Sequence, residues 1–243
     1  MISSKVLVIA LLLIVPITFS HGPMSAWERL GIYDPVNILI LSSTISGLFI
    51  LFSLLYRNKM GVDAKKIAFI FISVPIMAGT LYISGATVYQ NIASVTGGPV
   101  HWHADYEIWA CGQKYELADP SGLENRVGTP TVHEHNDNRI HIEGVLLDLE
   151  DASLHEFFES AGGEFTGDTL AMPTNAGLIR WTNGDLCSNR PARWYMFVNS
   201  VMNDKMGEYI ISPYPDVPPG DKIKLVFTEK LPEQINSDLF EVP

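Results

Sequence analysis

Residues 131–145 read Thr-Val-His-Glu-His-Asn-Asp-Asn-Arg-Ile-His-Ile-Glu-Gly-Val, and this stretch decides how the second half of the chain folds. Ile140 and Ile142 alternate with His141 and Glu143, the period-two pattern of a strand with one buried face. Thr131 to Val145 therefore predicts a hairpin broken at Asn136-Asp137-Asn138. A loop of five residues sets His135 across from His141 and His133 across from Glu143. A loop of three also keeps these four on one face, whereas a loop of four splits them. Turning both isoleucines into a core selects the shared face, because the alternative buries His141 and Glu143 unpaired, at a cost of several kcal/mol.

Upstream, His101 to Ala110 alternates in the same way. His101, His103, Asp105, Glu107 and Trp109 fall on one face, with Trp102, Ala104, Tyr106 and Ile108 on the other. Gly112-Gln113 then offers a turn into a return strand, Lys114 to Ala118. Five of the seven histidines thus lie on two predicted hairpins. Neutral imidazoles with a carboxylate suit a divalent transition metal such as copper or zinc. The expected ligands are His133, His135, His141 and Glu143, with His101 and His103 joining them or forming a second site. Glu134 and Asp137 are candidate general bases on a metal-bound water, which leaves catalysis open. Two plainer readings also fit, namely imidazoles hydrogen-bonded to Asp105, Glu107 and Asp137, and a pH-responsive surface.

Further along, Asp151 or Ser153 can cap a short helix, Leu154 to Ser160, whose Leu154, Phe157 and Phe158 form an apolar stripe ended by Gly162-Gly163. His155 faces away from that stripe. Strands are predicted at Gly177 to Trp181, Trp194 to Asn199 and Lys222 to Phe227, so residues 92–243 read as an α+β domain. Its tryptophans and Tyr195 are expected to pack the core.

Three apolar segments precede this domain. The first, Val6 to Val15, is closed by Pro16 and followed by Thr18-Phe19-Ser20, and residues 1–20 resemble a cleavable signal peptide or serve as a first membrane helix. Removal would leave His21 as the mature N-terminus, where amine and ring together can chelate copper; otherwise His21 is a residue of an external loop, 21–35. Val36 to Tyr56 and Ile67 to Tyr89 are uncharged and long enough to span a bilayer, making 36–91 a pair of transmembrane helices. Arg57, Lys59, Lys65 and Lys66 crowd the connection between them, which the positive-inside rule places in the cytoplasm. The C-terminal domain is then extracytoplasmic. It carries 24 carboxylates against 10 basic residues, a balance that disfavours nucleic acid as a partner. Cys111 and Cys187 both fall on the oxidising side, where a disulfide is expected.

No CxxC pair, GxxxxGK loop, GxGxxG or GxSxG element is present. The element order, with Val198-Asn199 and a Pro-Gly-Asp turn before the last strand, loosely resembles a β-grasp domain carrying an inserted histidine hairpin. The string HEHNDNRIHIEG, with its HxHxD element, IHxE and a following Leu-x-x-Phe-Phe helix, resembles uncharacterised exported, membrane-anchored prokaryotic proteins, which implies no activity. The expectation is a membrane-anchored metal-binding protein, in metal handling or as an accessory of a membrane enzyme. An interaction subunit of a membrane complex and a metal-dependent hydrolase or oxygenase are the alternatives.

Overall fold

A computed structural model describes residues 25–121, 123, 125–211, 220–239 and 241–242. The expected signal segment and His21 lie outside the described residues. The chain divides between Ile92 and Ala93 into two compact units.

The first unit is helical. A single turn, α1 (Ala26–Arg29), is opened by a capping box in which Ser25 and Glu28 satisfy each other's backbone amides. The helix α2 (Pro35–Tyr56) starts with Asp34 as its cap and Pro35 at its first position, and α3 (Val62–Ala93) follows. Both are long and apolar enough to cross a membrane. They meet through small residues, with Ser42 against Gly79 and the Ser46 hydroxyl donating to the Ile72 carbonyl at 3.0 Å, while Phe49 stacks on Phe71. The basic connection is shorter than expected. Helix α3 begins at Val62, so Lys65 and Lys66 lie in its first turns and Lys66 pairs with Asp63 at 3.2 Å.

The second unit is α+β. Its main sheet contains β1 (Pro99–Ala110), β2 (Gln113–Tyr115), β3 (Val127–Gly128), β4 (Val132–Glu134) and β5 (Arg139–Val145). The short helix α4 (Leu154–Ser160) follows, capped by Ser153 at the predicted position. Then come a small antiparallel sheet of β6 (Glu164–Phe165), β7 (Thr169–Thr174) and β8 (Gly177–Thr182), and a two-stranded ribbon of β9 (Leu186–Cys187) and β10 (Arg190–Pro191). The chain returns to the main sheet with β11 (Arg193–Val198), β12 (Val201–Asn203) and β13 (Asp221–Thr228).

The strand order is β12-β11-β13-β1-β5-β4-β3, with β2 beside the far end of β1. The central pair, β1 and β13, is parallel, and every other pairing in this sheet is antiparallel. One face of the sheet is the core. Trp102, Ala104, Tyr106, Ile108, Ile140, Ile142, Leu225 and Phe227 are buried there with Leu154, Phe157 and Phe158 of α4, and Tyr106 meets Phe157 edge-on at 5.4 Å. Residues of these types, alternating at strand spacing, are removed from water for about 1.5–3 kcal/mol per large side chain.

The opposite face is divided. At one end, Ile235 of the C-terminal segment packs on Tyr195, Phe197, Val226 and Trp109. Beneath that segment Glu107 and Lys224 form a fully buried ion pair at 3.2 Å, although neither Glu107 oxygen achieves hydrogen-bond geometry among the described residues. The Lys224 ammonium also donates to the carbonyls of Asp238 at 2.7 Å and Glu241 at 2.6 Å. The other end of this face carries the histidines.

The first turn departs by one residue from expectation. Cys111 and Gly112, both at positive φ, form a two-residue hairpin turn, and the return strand is Gln113–Tyr115. Cys111 lies at disulfide distance from Cys187, with Cα atoms 5.3 Å apart, so the bridge ties this turn to the β9–β10 ribbon. Alkylation of the unreduced protein should therefore label no thiol, with mass spectrometry as the readout. Two modified cysteines without prior reduction would contradict the bridge.

Candidate metal centre

The register of three neighbouring strands builds the site. His103 pairs with His141 across β1 and β5, and His141 pairs with His133 across β5 and β4. One row of imidazoles therefore crosses three strands on a single face. His101 pairs with Glu143 on one side of this row, and Asp105 pairs with Arg139 on the other. Ile140 and Ile142, between these residues, are completely buried in the core on the other face.

The β4–β5 register is set by the Asn136-Asp137-Asn138 loop. Asn136 and Asn138 take positive φ, which asparagine tolerates better than most residues. Glu134 turns to the core face, and its Oε1 accepts from the amides of Asp137 at 2.7 Å and Asn138 at 3.1 Å. This corrects the expectation that Glu134 is a general base, because it holds the turn from the wrong face of the strand. Of the registers expected, the structure takes the one with His133, rather than His135, opposite His141. Two glycines allow the close approaches that fix these strands. A Cβ on Gly128 would clash with the Val132 carbonyl oxygen, and one on Gly220, just before β13, with that of His103.

Three imidazoles form a group that can hold a metal ion. Ring nitrogens of His101, His103 and His141 lie within 4.8 Å of one another. Around a tetrahedral ion with bonds of about 2.0–2.1 Å, ligand nitrogens stand roughly 3.3 Å apart, a closure within reach of side-chain rotation. Carboxylates flank the group. Glu143 Oε1 lies 3.1 Å from His101 Nε2, and Asp137 Oδ2 lies 3.3 Å from His141 Nε2. At those distances each can fix a ring tautomer, as outer carboxylates do for metal-bound histidines, or move onto the ion itself.

His133 and His135 sit beside this group rather than within it. The His133 ring lies 5.5 Å from His141 and 4.8 Å from His135, and His135 lies 5.0 Å from His141. His135 Nδ1 is 2.6 Å from the Asn125 carbonyl, which can only accept, so Nδ1 carries the proton and the neutral ring keeps its lone pair on Nε2. The expected set thus shares one face, but the tightest convergence draws His101 and His103 from β1 to His141. The missed signal was the antiparallel pairing of 99–105 with 139–145, two alternating segments whose polar positions coincide. His155 stands apart, 2.9 Å from the Phe165 carbonyl and 3.3 Å from Glu159.

Two of these imidazoles are held toward the neutral form. Burial, helped by the neighbouring His141, His101 and Arg139 and opposed by Glu143, lowers the His103 pKa below its ordinary value of 6.5. Burial also lowers that of His133, with His135, His141 and Arg126 acting the same way against Glu143. The unfolded chain takes up these protons first as pH falls, so this contribution to stability is complete above about pH 6.5 and declines as acid carries the folded state through its lower pKa. Unfolding of the metal-free protein at pH 7.5 and 5.5 should therefore show a loss of stability in acid that His103→Asn reduces. Equal pH dependence in the two proteins would contradict this account.

No protein-family model, curated protein or solved structure matches the chain.

Proposed function

We propose that this is a membrane-anchored protein whose α+β unit lies outside the cytoplasm and binds copper or zinc, in metal handling or as an accessory of a membrane enzyme. The carrying observation is the convergence of His101, His103 and His141 on one sheet face, flanked by Glu143 and Asp137. Three imidazoles with an adjacent carboxylate give the nitrogen-rich donor set that these ions prefer. The side chain of His101 is 63 % exposed, and such an open position suits acquisition and release of an ion better than chemistry in a closed pocket.

The anchor is the pair α2 and α3, with the basic residues around their connection in the cytoplasm. A cysteine introduced at position 62 should resist an impermeant reagent applied to intact cells, while one at position 242 should react. The reverse pattern would invert the topology. Parallel first and last strands at the centre of the sheet, antiparallel flanks and an α-helix described between them support the β-grasp-like reading, with β3–β5 as the insertion. Elemental analysis of the full chain, purified in detergent without a metal-affinity tag, tests the function. About one equivalent of copper or zinc is expected, and a protein that neither retains nor takes up either ion would refute the proposal.

A further inference from the structure

The imidazole row continues inward past His141, and the continuation has features of its own. His133 stacks on His141 with ring planes 9° apart, and His135 closes a triangle with both. The residue His133 is only 3 % exposed, and its Nδ1 is buried without a hydrogen-bond partner among the described residues. An orphaned buried nitrogen is destabilising, and an ion accepting its lone pair removes that penalty. His135 has its Nδ1 proton held by the Asn125 carbonyl, the outer hydrogen bond that commonly orients a ligating imidazole and leaves Nε2 free for the metal. Exposure also falls inward, from 63 % for the His101 side chain to 13 % for that of His141 and 3 % for residue His133, with His135 half-buried.

Resting on the metal-binding reading above, we propose that the ion has two alternative positions sharing His141. The outer one is held by His101, His103 and His141, and the inner one by His133, His135 and His141. A neutral imidazole nitrogen offers one lone pair, so the shared ligand admits one ion at a time. The ion moves inward by exchanging His101 and His103 for His133 and His135 while His141 stays bound. No step requires release into solvent, and no electron is transferred. The sheet face is thus a two-station track along which an ion captured at the exposed end is drawn to the sheltered one.

The test is titration of the full-length, metal-stripped chain in detergent with Co(II), read by visible absorption and by bound stoichiometry. The wild type is expected to bind one equivalent. The double variant H101A/H103A changes only the open end and should still bind one equivalent, with affinity reduced roughly 10- to 100-fold and an altered ligand-field spectrum. H133A/H135A should likewise retain one, and the quadruple variant none. Because His133 is buried, H135A alone serves as a second inner variant and should alter the spectrum without abolishing binding. If H101A/H103A binds no cobalt while the wild type and H135A do, the inner position does not exist and the single outer site stands. Two equivalents in the wild type would overturn the shared ligand. No binding by the wild type would instead remove the metal-binding function itself.

Discussion

Replacing His141 by alanine is expected to lower metal affinity more than any other single change, by over about 100-fold. Its ring lies 4.8 Å from His103, 5.0 Å from His135 and 5.5 Å from His133, and it belongs to the group that converges with His101. Loss of an outer hydrogen-bonding partner alone typically costs about 10- to 100-fold, and removal of a ligand common to every arrangement must cost more. Bound copper and zinc measured for wild type, H141A and H155A decide the matter. H155A should match the wild type, because His155 hydrogen-bonds elsewhere. Wild-type affinity in H141A would dismantle the site.

Replacing Lys224 by methionine should destabilise the α+β unit by about 3–5 kcal/mol, because it leaves the Glu107 carboxylate buried without its counter-charge. That is a large share of the roughly 5–15 kcal/mol by which a typical domain is stable. The same change removes the ammonium that grips the Asp238 and Glu241 carbonyls. The double variant E107L/K224M removes both charges and should recover much of the loss, since apolar replacements of buried ion pairs are often neutral. Denaturant unfolding followed by tryptophan fluorescence separates these cases. A single variant within about 0.5 kcal/mol of wild type would show that the pair is not buried in solution.

The parts of the fold that could be read from sequence are those with local signals. The helix Leu154–Ser160 has its Ser153 cap and apolar stripe, and β5, β8, β11 and β13 alternate or sit between turn residues. Strand β7 carries no such signal, because Leu170, Ala171 and Met172 form an unbroken apolar run, buried on both sides, in which alternation is absent. Glu107 and Lys224 look like surface residues by type. Only the return of the C-terminal segment across the sheet buries them, and a contact across 117 positions leaves no mark on local pattern. The same reason separates what was legible at the site from what was not. The face shared by His133, His135, His141 and Glu143 follows from Ile140 and Ile142, whereas the choice of His101 and His103 as closest companions of His141 depends on which strand lies beside β5.

The parallel pairing at the centre of the sheet also imposes an order of events on the newly made chain. His103 meets His141 across 38 positions, within the antiparallel strands β1-β5-β4-β3, which are complete once residue 145 is available. Asp105 meets Lys222 across 117 positions, so that pairing waits for a much later part of the chain. Closing the shorter loops costs less entropy, and distant pairings form late. All five clustered histidines can therefore gather before the strand that seals the sheet has left the ribosome. An ion held by those histidines at that stage would favour the native register of a half-built domain.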